Sequence, residues 1–385
     1  MILSKAAREI IKRLNDASFE AYAVGGAVRD LLMNKSPKDY DVTTNAKTSQ
    51  IKDLFRDKHV IPTGEKHGTM TVISGGEPVE VTTFRQDGKY IDSRHPSEVI
   101  FVESITEDLR RRDFTINAIA YNESIGIVDP FNGVNDIGQR TVRAVGDPKE
   151  RFHEDALRIM RCIRFASVLG FSIDDRTDQA LKECHKLLAA IAKERIFSEL
   201  KLFLNGDFRD VLQGHLYIFE FLFSGWKQPK SYSLNFGDDL ISRLSYFFSG
   251  CEVENVKKYF ELLKSDNKTK SDVLKVIRSL DHPTITSRRD TLLFLSEFGL
   301  ENAQRSISLR NRDGEAAFLK EYESECFLLE HLDIDGHDIL ELSISGTMVG
   351  KAKKLLLDAV INGDVKNEKS ELLQYLVQKY DSGIY

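Results

Sequence analysis

Cysteine is scarce. Cys162, Cys184, Cys251 and Cys326 are the only four in 385 residues, and their spacing fits neither a zinc site nor a disulfide framework. Buried, reduced thiols are the reading they support, and no zinc is expected. Cys184 and His185 are adjacent, but no second ligand pair lies near them. The chain also lacks any apolar run of membrane-spanning length, so no membrane partner is expected. Its first twenty residues, MILSKAAREIIKRLNDASFE, mix acids and bases through an amphipathic pattern. They have neither the apolar core nor the small-residue cleavage site of a secretion signal, and a cytoplasmic location follows as an expectation. There is no low-complexity segment and no convincing repeat. Excess positive charge is missing too: 54 basic against 60 acidic residues give a net charge of −6. That argues against a nonspecific nucleic-acid binder working through a basic overall field, and leaves room for basic residues gathered in one cleft.

What is present divides in two. A chain of 385 residues is long for one core, so two to four packed units are expected. Up to about Arg140 helix alternates with strand: AYAVGG runs as a strand into a glycine turn, and AVRDLLM restarts as a helix. DYDVTT, HGTMTVIS and PVEVTTFR read as strands, rich in Val and Thr with period-two alternation. INAIAYN and GIVDP complete the β-rich part. No βαβ series of the doubly wound kind is visible, so the fold class is α+β: a head on a small mixed sheet. From about Asp147 the pattern is almost wholly helical, as in EDALRIMRCIRFASVLG and the closing GKAKKLLLDAVI and EKSELLQYLVQKY. SYSLNFGDD and KSDNKTKSD read as loops.

Asp39 and Asp41 sit in DYD at the start of a strand, where residues two apart project to one face. Two carboxylates on one face can hold a pair of Mg²⁺ ions, which two-metal transfer places about 3.5–4 Å apart. D-x-D alone is weak, because most such matches are turn or capping aspartates. Context strengthens it. Gly25 and Gly26 follow a strand and open a helix, so their amides can approach a triphosphate closely, and Arg29 one turn later can clamp phosphate oxygens. Glu80, on the strand VEVTTF, reads equally as a third carboxylate or as a solvated strand residue.

In EDALRIMRCIRF, helical geometry puts Glu154, Asp155, Arg158, Arg161 and Arg164 on one half and Ala156, Ile159, Met160 and Ile163 on the other. An amphipathic helix laced with salt bridges explains this pattern by itself. A second reading explains more. Asp155 can accept from an exocyclic amine while Arg158 donates to a ring acceptor, a pairing that suits cytosine and adenine. Uracil and guanine put a carbonyl oxygen where the amine would be, and mispaired polar groups in a confined site are costly. Of the consecutive Arg110, Arg111 and Arg112, at most one is expected to act, since they project in different directions. Asp113 reads as a partner for it, as a ribose contact or as a structural ion pair. The His67-Gly68-Thr69 turn is explained without chemistry as a tight turn.

Taken in order, GGAVRD, DYD, RRDFTINAIA and EDALRIMRCIRF resemble the successive motifs of polymerase-beta-type nucleotidyltransferases, specifically the bacterial class II tRNA nucleotidyltransferases, the CCA-adding enzymes. The resemblance covers roughly residues 20–205. It implies that Asp39 and Asp41 bind catalytic Mg²⁺ (two ions), and that Gly26, Arg29 and Arg112 contact the incoming nucleotide. Asp155 and Arg158 would be its protein template, with Arg161 and Arg164 facing the nucleotide pocket. It implies a catalytic head over 1–146, a helical neck carrying the recognition helix over 147–206, a body over 207–300 and a tRNA-binding tail over 301–385. CTP, ATP and the acceptor stem and elbow of tRNA are the implied partners. In the tail, Lys351, Lys353 and Lys354 follow Gly346 and Gly350 and read either as a phosphate grip or as a solvated helix face; Thr347 stands where the family often has proline. The polar segment QDGKYIDSRHPSEVIFVES is of full length, which favours CCA over CC addition. A-only addition, a poly(A) polymerase, a small-molecule nucleotidyltransferase and a catalytically silent tRNA-binding protein are the competing readings.

Overall fold

A computed structural model gives the fold, and describes residues 1–88, 99–232 and 239–381. The chain forms two compact units, Met1–Ser224 and Gly225–Tyr385.

The first unit opens with α1 (Lys5–Asp16), capped by Ser4, whose hydroxyl accepts from the Ala7 amide at 3.1 Å. Its apolar stripe, Ala7, Ile10, Ile11 and Leu14, is buried against the sheet. The strands of three residues or more are β1 (Ala21–Val24), β2 (Tyr40–Thr44), β3 (His59–Gly64), β4 (Thr69–Ser74), β5 (Glu77–Thr83), β6 (Arg85–Asp87), β7 (Val99–Phe101), β8 (Ala120–Asn122) and β9 (Gly126–Val128). Seven of them form one mixed sheet in the order β3-β4-β5-β2-β1-β8-β9, with β2 and β5 parallel and the other neighbours antiparallel. β6 and β7 pair as a separate two-stranded ribbon. The α+β head expected from the sequence is the one observed. β3 and the helix after β2 had no reading in the sequence, because His59–Gly64 is mostly exposed and carries little apolar alternation.

Around the sheet lie α2 (Gly26–Leu32), α3 (Thr48–Leu54), α4 (Ile105–Arg110) and α5 (Gly133–Gly138). α6 (Pro148–Glu154), α7 (Leu157–Leu169), α8 (Asp175–Cys184) and α9 (Lys193–Leu204) follow, with α7 packed along α9. The second unit is helical throughout its described residues, around a core that includes Leu292, Leu295, Leu356, Leu372 and Leu376.

Two sequence readings need correction. KSDNKTKSD is a loop only over residues 264–266: Asp266 accepts from the Thr269 amide at 2.8 Å and caps a helix over Asn267–Leu280, and the rest of that polar stretch is the start of the helix. EDALRIMRCIRF is not one helix. α6 ends at Glu154, Asp155 is extended (φ −136°, ψ 103°), and α7 starts at Leu157. Of SYSLNFGDD, residues 233–238 lie outside the described residues. So do 89–98, the middle of the polar segment on which the choice between CCA and CC addition was read. All four cysteines are buried free thiols. Among the described residues no helix is long and apolar enough to cross a membrane.

Candidate active site

The site is built where β1 stops. After Val24 the backbone turns at Gly25 with φ +72°, a left-handed conformation that favours glycine, and α2 starts at the next residue. A methyl group on Gly25 would also stand 3.0 Å from a guanidinium nitrogen of Arg112 and 3.9 Å from Asp41 Oδ2. Backbone, arginine and carboxylate therefore converge on one point.

Asp41 is the exposed residue of an otherwise buried β2, opposite Val24 on one neighbour and level with Glu80 on the other. Asp39 lies one residue before the strand, on the exposed side. Neither aspartate makes an ion pair or a side-chain hydrogen bond among the described residues. Asp41 opens to the cleft, yet protein surrounds it on its other sides. That burial raises its carboxyl above the ordinary value; Arg112 opposes the rise, and the negative charges of Glu80 and Asp39 add to it. Among the described residues no three His, Cys, Asp or Glu side chains gather as a metal-binding group. Glu80 is exposed and stays off the cleft wall, although its charge reaches Asp41.

The cleft has a volume of about 680 Å³. Its walls include every residue singled out from the sequence for metal or nucleotide except Glu80: Gly25, Gly26, Arg29, Asp39, Asp41, Arg112, Asp155, Arg158, Arg161 and Arg164. Arg111, Asp113, Asn117 and Phe165 complete it. Six arginines face four aspartates, so a chain of net negative charge presents a locally positive hollow, suited to a polyanion.

Each arginine is held. Arg29 donates to Asn117 Oδ1 at 2.7 Å and to Asp30 at 2.8 and 2.9 Å. Arg161 donates to the buried Asp113 at 2.7 Å from Nε and pairs with it at 2.5 Å from Nη2. Burial pushes the Asp113 carboxyl up, but Arg161 and the Asn117 amide outweigh it and hold the group at about 2. This settles Asp113 as a partner of Arg161 rather than of Arg112. Arg164 pairs with Glu199 at 2.7 Å. Burial raises the Glu199 carboxyl, a rise opposed by Arg164 and Arg161. Phe165 lies beneath three guanidinium groups: Arg164 at 4.0 Å from the ring centroid, Arg161 at 5.3 Å and Arg29 at 5.4 Å. Its face favours those cations and keeps them side by side.

The break at Asp155 has a local cause. Its Oδ1 accepts from the Leu157 amide at 3.0 Å, an Asx-type cap on α7, and its Oδ2 accepts from Arg195 at 3.3 Å. A continuous helix would direct that carboxylate elsewhere. Arg158, one turn on, is buried; its Nη1 donates to Glu154 at 2.5 Å and to the Arg151 carbonyl at 3.2 Å, and its Nη2 donates to the Arg111 carbonyl at 2.9 Å. Two supporting residues had no sequence signal. Arg195 and Glu199, four apart on α9, project to one face and reach Asp155 and Arg164 from forty and thirty-five positions away. Only the packing of α7 on α9 brings them there. Lys351, Lys353 and Lys354 lie in the second unit, in the first half of the helix Thr347–Asn362; Lys351 and Lys354 are exposed and Lys353 is partly so.

Residues 21–143 match the family described as "Poly A polymerase head domain", and residues 170–224 the family described as "Probable RNA and SrmB- binding site of polymerase A". A CCA-adding enzyme of Lactobacillus gasseri is 34% identical over 395 residues, covering 96% of each chain. One from a Geobacillus strain is 36% identical over 392 residues, again 96% of each. The crystal structure of the Bacillus stearothermophilus CCA-adding enzyme in complex with CTP matches with a TM-score of 0.79 at 30% identity, over 98% of each chain.

Proposed function

This chain belongs to the CCA-adding enzymes, and from that membership we propose that it builds or repairs the 3′-terminal CCA of tRNA from CTP and ATP without a nucleic-acid template. The observation that carries this reading is the sharing of one cleft by Asp39 and Asp41, which are unpaired among the described residues, six arginines and the Asp155–Arg158 pair.

Members of this family are nucleotidyltransferases that need a divalent metal. Asp39 and Asp41 fit such an ion: both are oxygen donors without a side-chain partner among the described residues, in a cleft open to a triphosphate. Mg²⁺ is commonly bound by one or two carboxylates, with water and phosphate oxygens supplying the rest. Two ions are the proposal, held by Asp39 and Asp41, with Glu80 close enough to add charge. When bound, the metal lowers the pKa of the attacking RNA 3′-hydroxyl and neutralises the triphosphate. The hydroxyl oxygen bonds to the α-phosphorus as the bond to the bridging oxygen breaks, and pyrophosphate leaves. The chain's own residues bind and orient. Arg29, Arg112, Arg161 and Arg164 face the phosphates, and Gly25 and Gly26 allow backbone to approach them closely. Asp155 accepts from the exocyclic amine of C or A, and Arg158 donates to the neighbouring ring nitrogen. The sequence divisions fit a catalytic head over 1–146 and a neck over 147–206 that supplies base recognition. The body (207–300) and tail (301–385) would then grip tRNA, with Lys351, Lys353 and Lys354 near its elbow.

Labelled CTP alone, ATP alone and both together, offered with Mg²⁺ to tRNA ending before, within and after CC, test the proposal. Ordered addition of C, C and A is expected. No incorporation on any substrate would sink the enzymatic reading, and A added only to tRNA already ending in CC would reduce it to an A-adding enzyme.

A further inference from the structure

Asp108 is fully buried on α4 and takes donors from three separate segments. Its Oδ1 accepts from Arg111 Nε at 3.0 Å and from the Arg85 amide at 3.3 Å. Its Oδ2 faces Arg112 Nη2 and Thr43 Oγ1, each at 3.4 Å. These partners are not incidental. Thr43 is two residues beyond Asp41 on β2, Arg85 is the first residue of the β6–β7 ribbon, and Arg111 and Arg112 both line the cleft.

A buried carboxylate needs one cation for charge balance, and here it has two. The surplus guanidinium is the informative one. Arg112 turns Nη2 back to Asp108 and lays Nη1 over Gly25, toward Asp41. Its Nε is buried and has no hydrogen-bond partner among the described residues. Asp108 is therefore the ionic anchor of a side chain whose far end stands where phosphate would lie. Removing that charge leaves two adjacent arginines mutually repelling, with Arg112 free to leave the Gly25 turn.

We propose that Asp108 is a positioning residue for nucleotidyl transfer, acting through Arg112 and joining that arginine to the catalytic strand and to the root of the β6–β7 ribbon. This rests on the functional reading above. The test is a double-mutant cycle in the full-length protein, Asp108→Asn and Arg112→Ala singly and together. Two readouts are used: kcat and KM for CTP on tRNA lacking CCA, and the calorimetric Kd for CTP. In the otherwise unaltered chain, D108N is expected to lower kcat/KM by about ten- to a hundredfold, the range for a misplaced binding group. KM and Kd should rise more than kcat falls. In the R112A background the same change should cost less than about threefold, because its route is already gone. Independent, multiplying losses would overturn the proposal, as would an effect of D108N below threefold. Should D108N not fold, Asp108→Glu keeps the charge and shifts it by one methylene; a smaller loss with the same non-additivity is expected, and additivity again overturns the idea. If the unaltered chain extends no tRNA, the functional reading fails separately, while the Kd cycle still decides the role of Asp108.

Discussion

Replacing Asp113 by Asn removes one charge from the buried pair that fixes Arg161. The carboxylate divides its work. Oδ1 accepts from the Phe114 amide at 2.8 Å and from Asn117 at 3.1 Å, while Oδ2 faces Arg161 at 2.5 and 2.7 Å. An asparagine can keep the Oδ1 contacts only by turning its own NH₂ group toward the guanidinium, donor against donor. The size of the loss follows from the titration. The Asp113 carboxyl lies at about 2 in the folded chain against an ordinary value of 3.8. That difference amounts to about 2 kcal/mol of stability at neutral pH. Because the folded value is depressed, the contribution is complete above the unfolded value and disappears as pH falls through the folded one. At pH 7 and pH 4 the variant should therefore be less stable by about 2 kcal/mol, and at pH 3 by about half as much. For a unit of this size the neutral-pH loss corresponds to a Tm lower by about 4–8 °C. Urea unfolding of both proteins at the three pH values measures it. A gap that is absent at pH 7, or unchanged at pH 3, would refute the assignment of the stabilisation to an ionised Asp113.

Three further outcomes are expected. Asp155→Ala removes the acceptor for the exocyclic amine and should reduce the preference for CTP over UTP by about ten- to a hundredfold; metal-dependent transfer should partly survive, and unchanged selectivity in competition assays would refute the templating role. Arg195→Ala loosens one oxygen of Asp155; at 3.3 Å and a third exposed, Arg195 makes a contact worth about 1 kcal/mol, so selectivity should fall about fivefold while Tm changes little, and a loss of Tm without one of selectivity would assign Arg195 to folding alone. Asp41→Asn should lower kcat by about a thousandfold or more while raising the Tm of the metal-free protein at neutral pH. Burial raises the Asp41 carboxyl, Arg112 opposes the rise, and the charges of Glu80 and Asp39 add to it, so the cost to folding sets in as pH rises through the ordinary carboxylate value and is complete above the raised one; a lower Tm for the variant would contradict this.

Legibility from the sequence tracked the range of each interaction. The α1 stripe, the β1 turn and the DYD strand were readable because local periodicity and a glycine determine them over a few residues. KSDNKTKSD misled because a polar first turn and a polar loop look alike until the Asp266 cap is seen. EDALRIMRCIRF misled for a related reason. Helical spacing placed the arginines well, but a two-residue break is stabilised by the Leu157 amide and by an arginine forty residues away, which no local pattern records. The same holds for Glu80. Strand register puts it level with Asp41, and register alone does not turn it into the cleft.

By itself the sequence determined the chemical types and their order: a glycine turn, two aspartates two residues apart where a strand begins, an arginine run and an Asp–Arg pair. Those are properties of short segments, dictated by backbone sterics and side-chain period. Tertiary structure alone decided that these segments share one cleft and which partner holds each arginine. Asp108, Asp113, Arg195 and Glu199 owe their roles to contacts across separate elements. Burial converts those contacts from weak surface pairs into constraints on geometry, and burial exists only once the chain has folded.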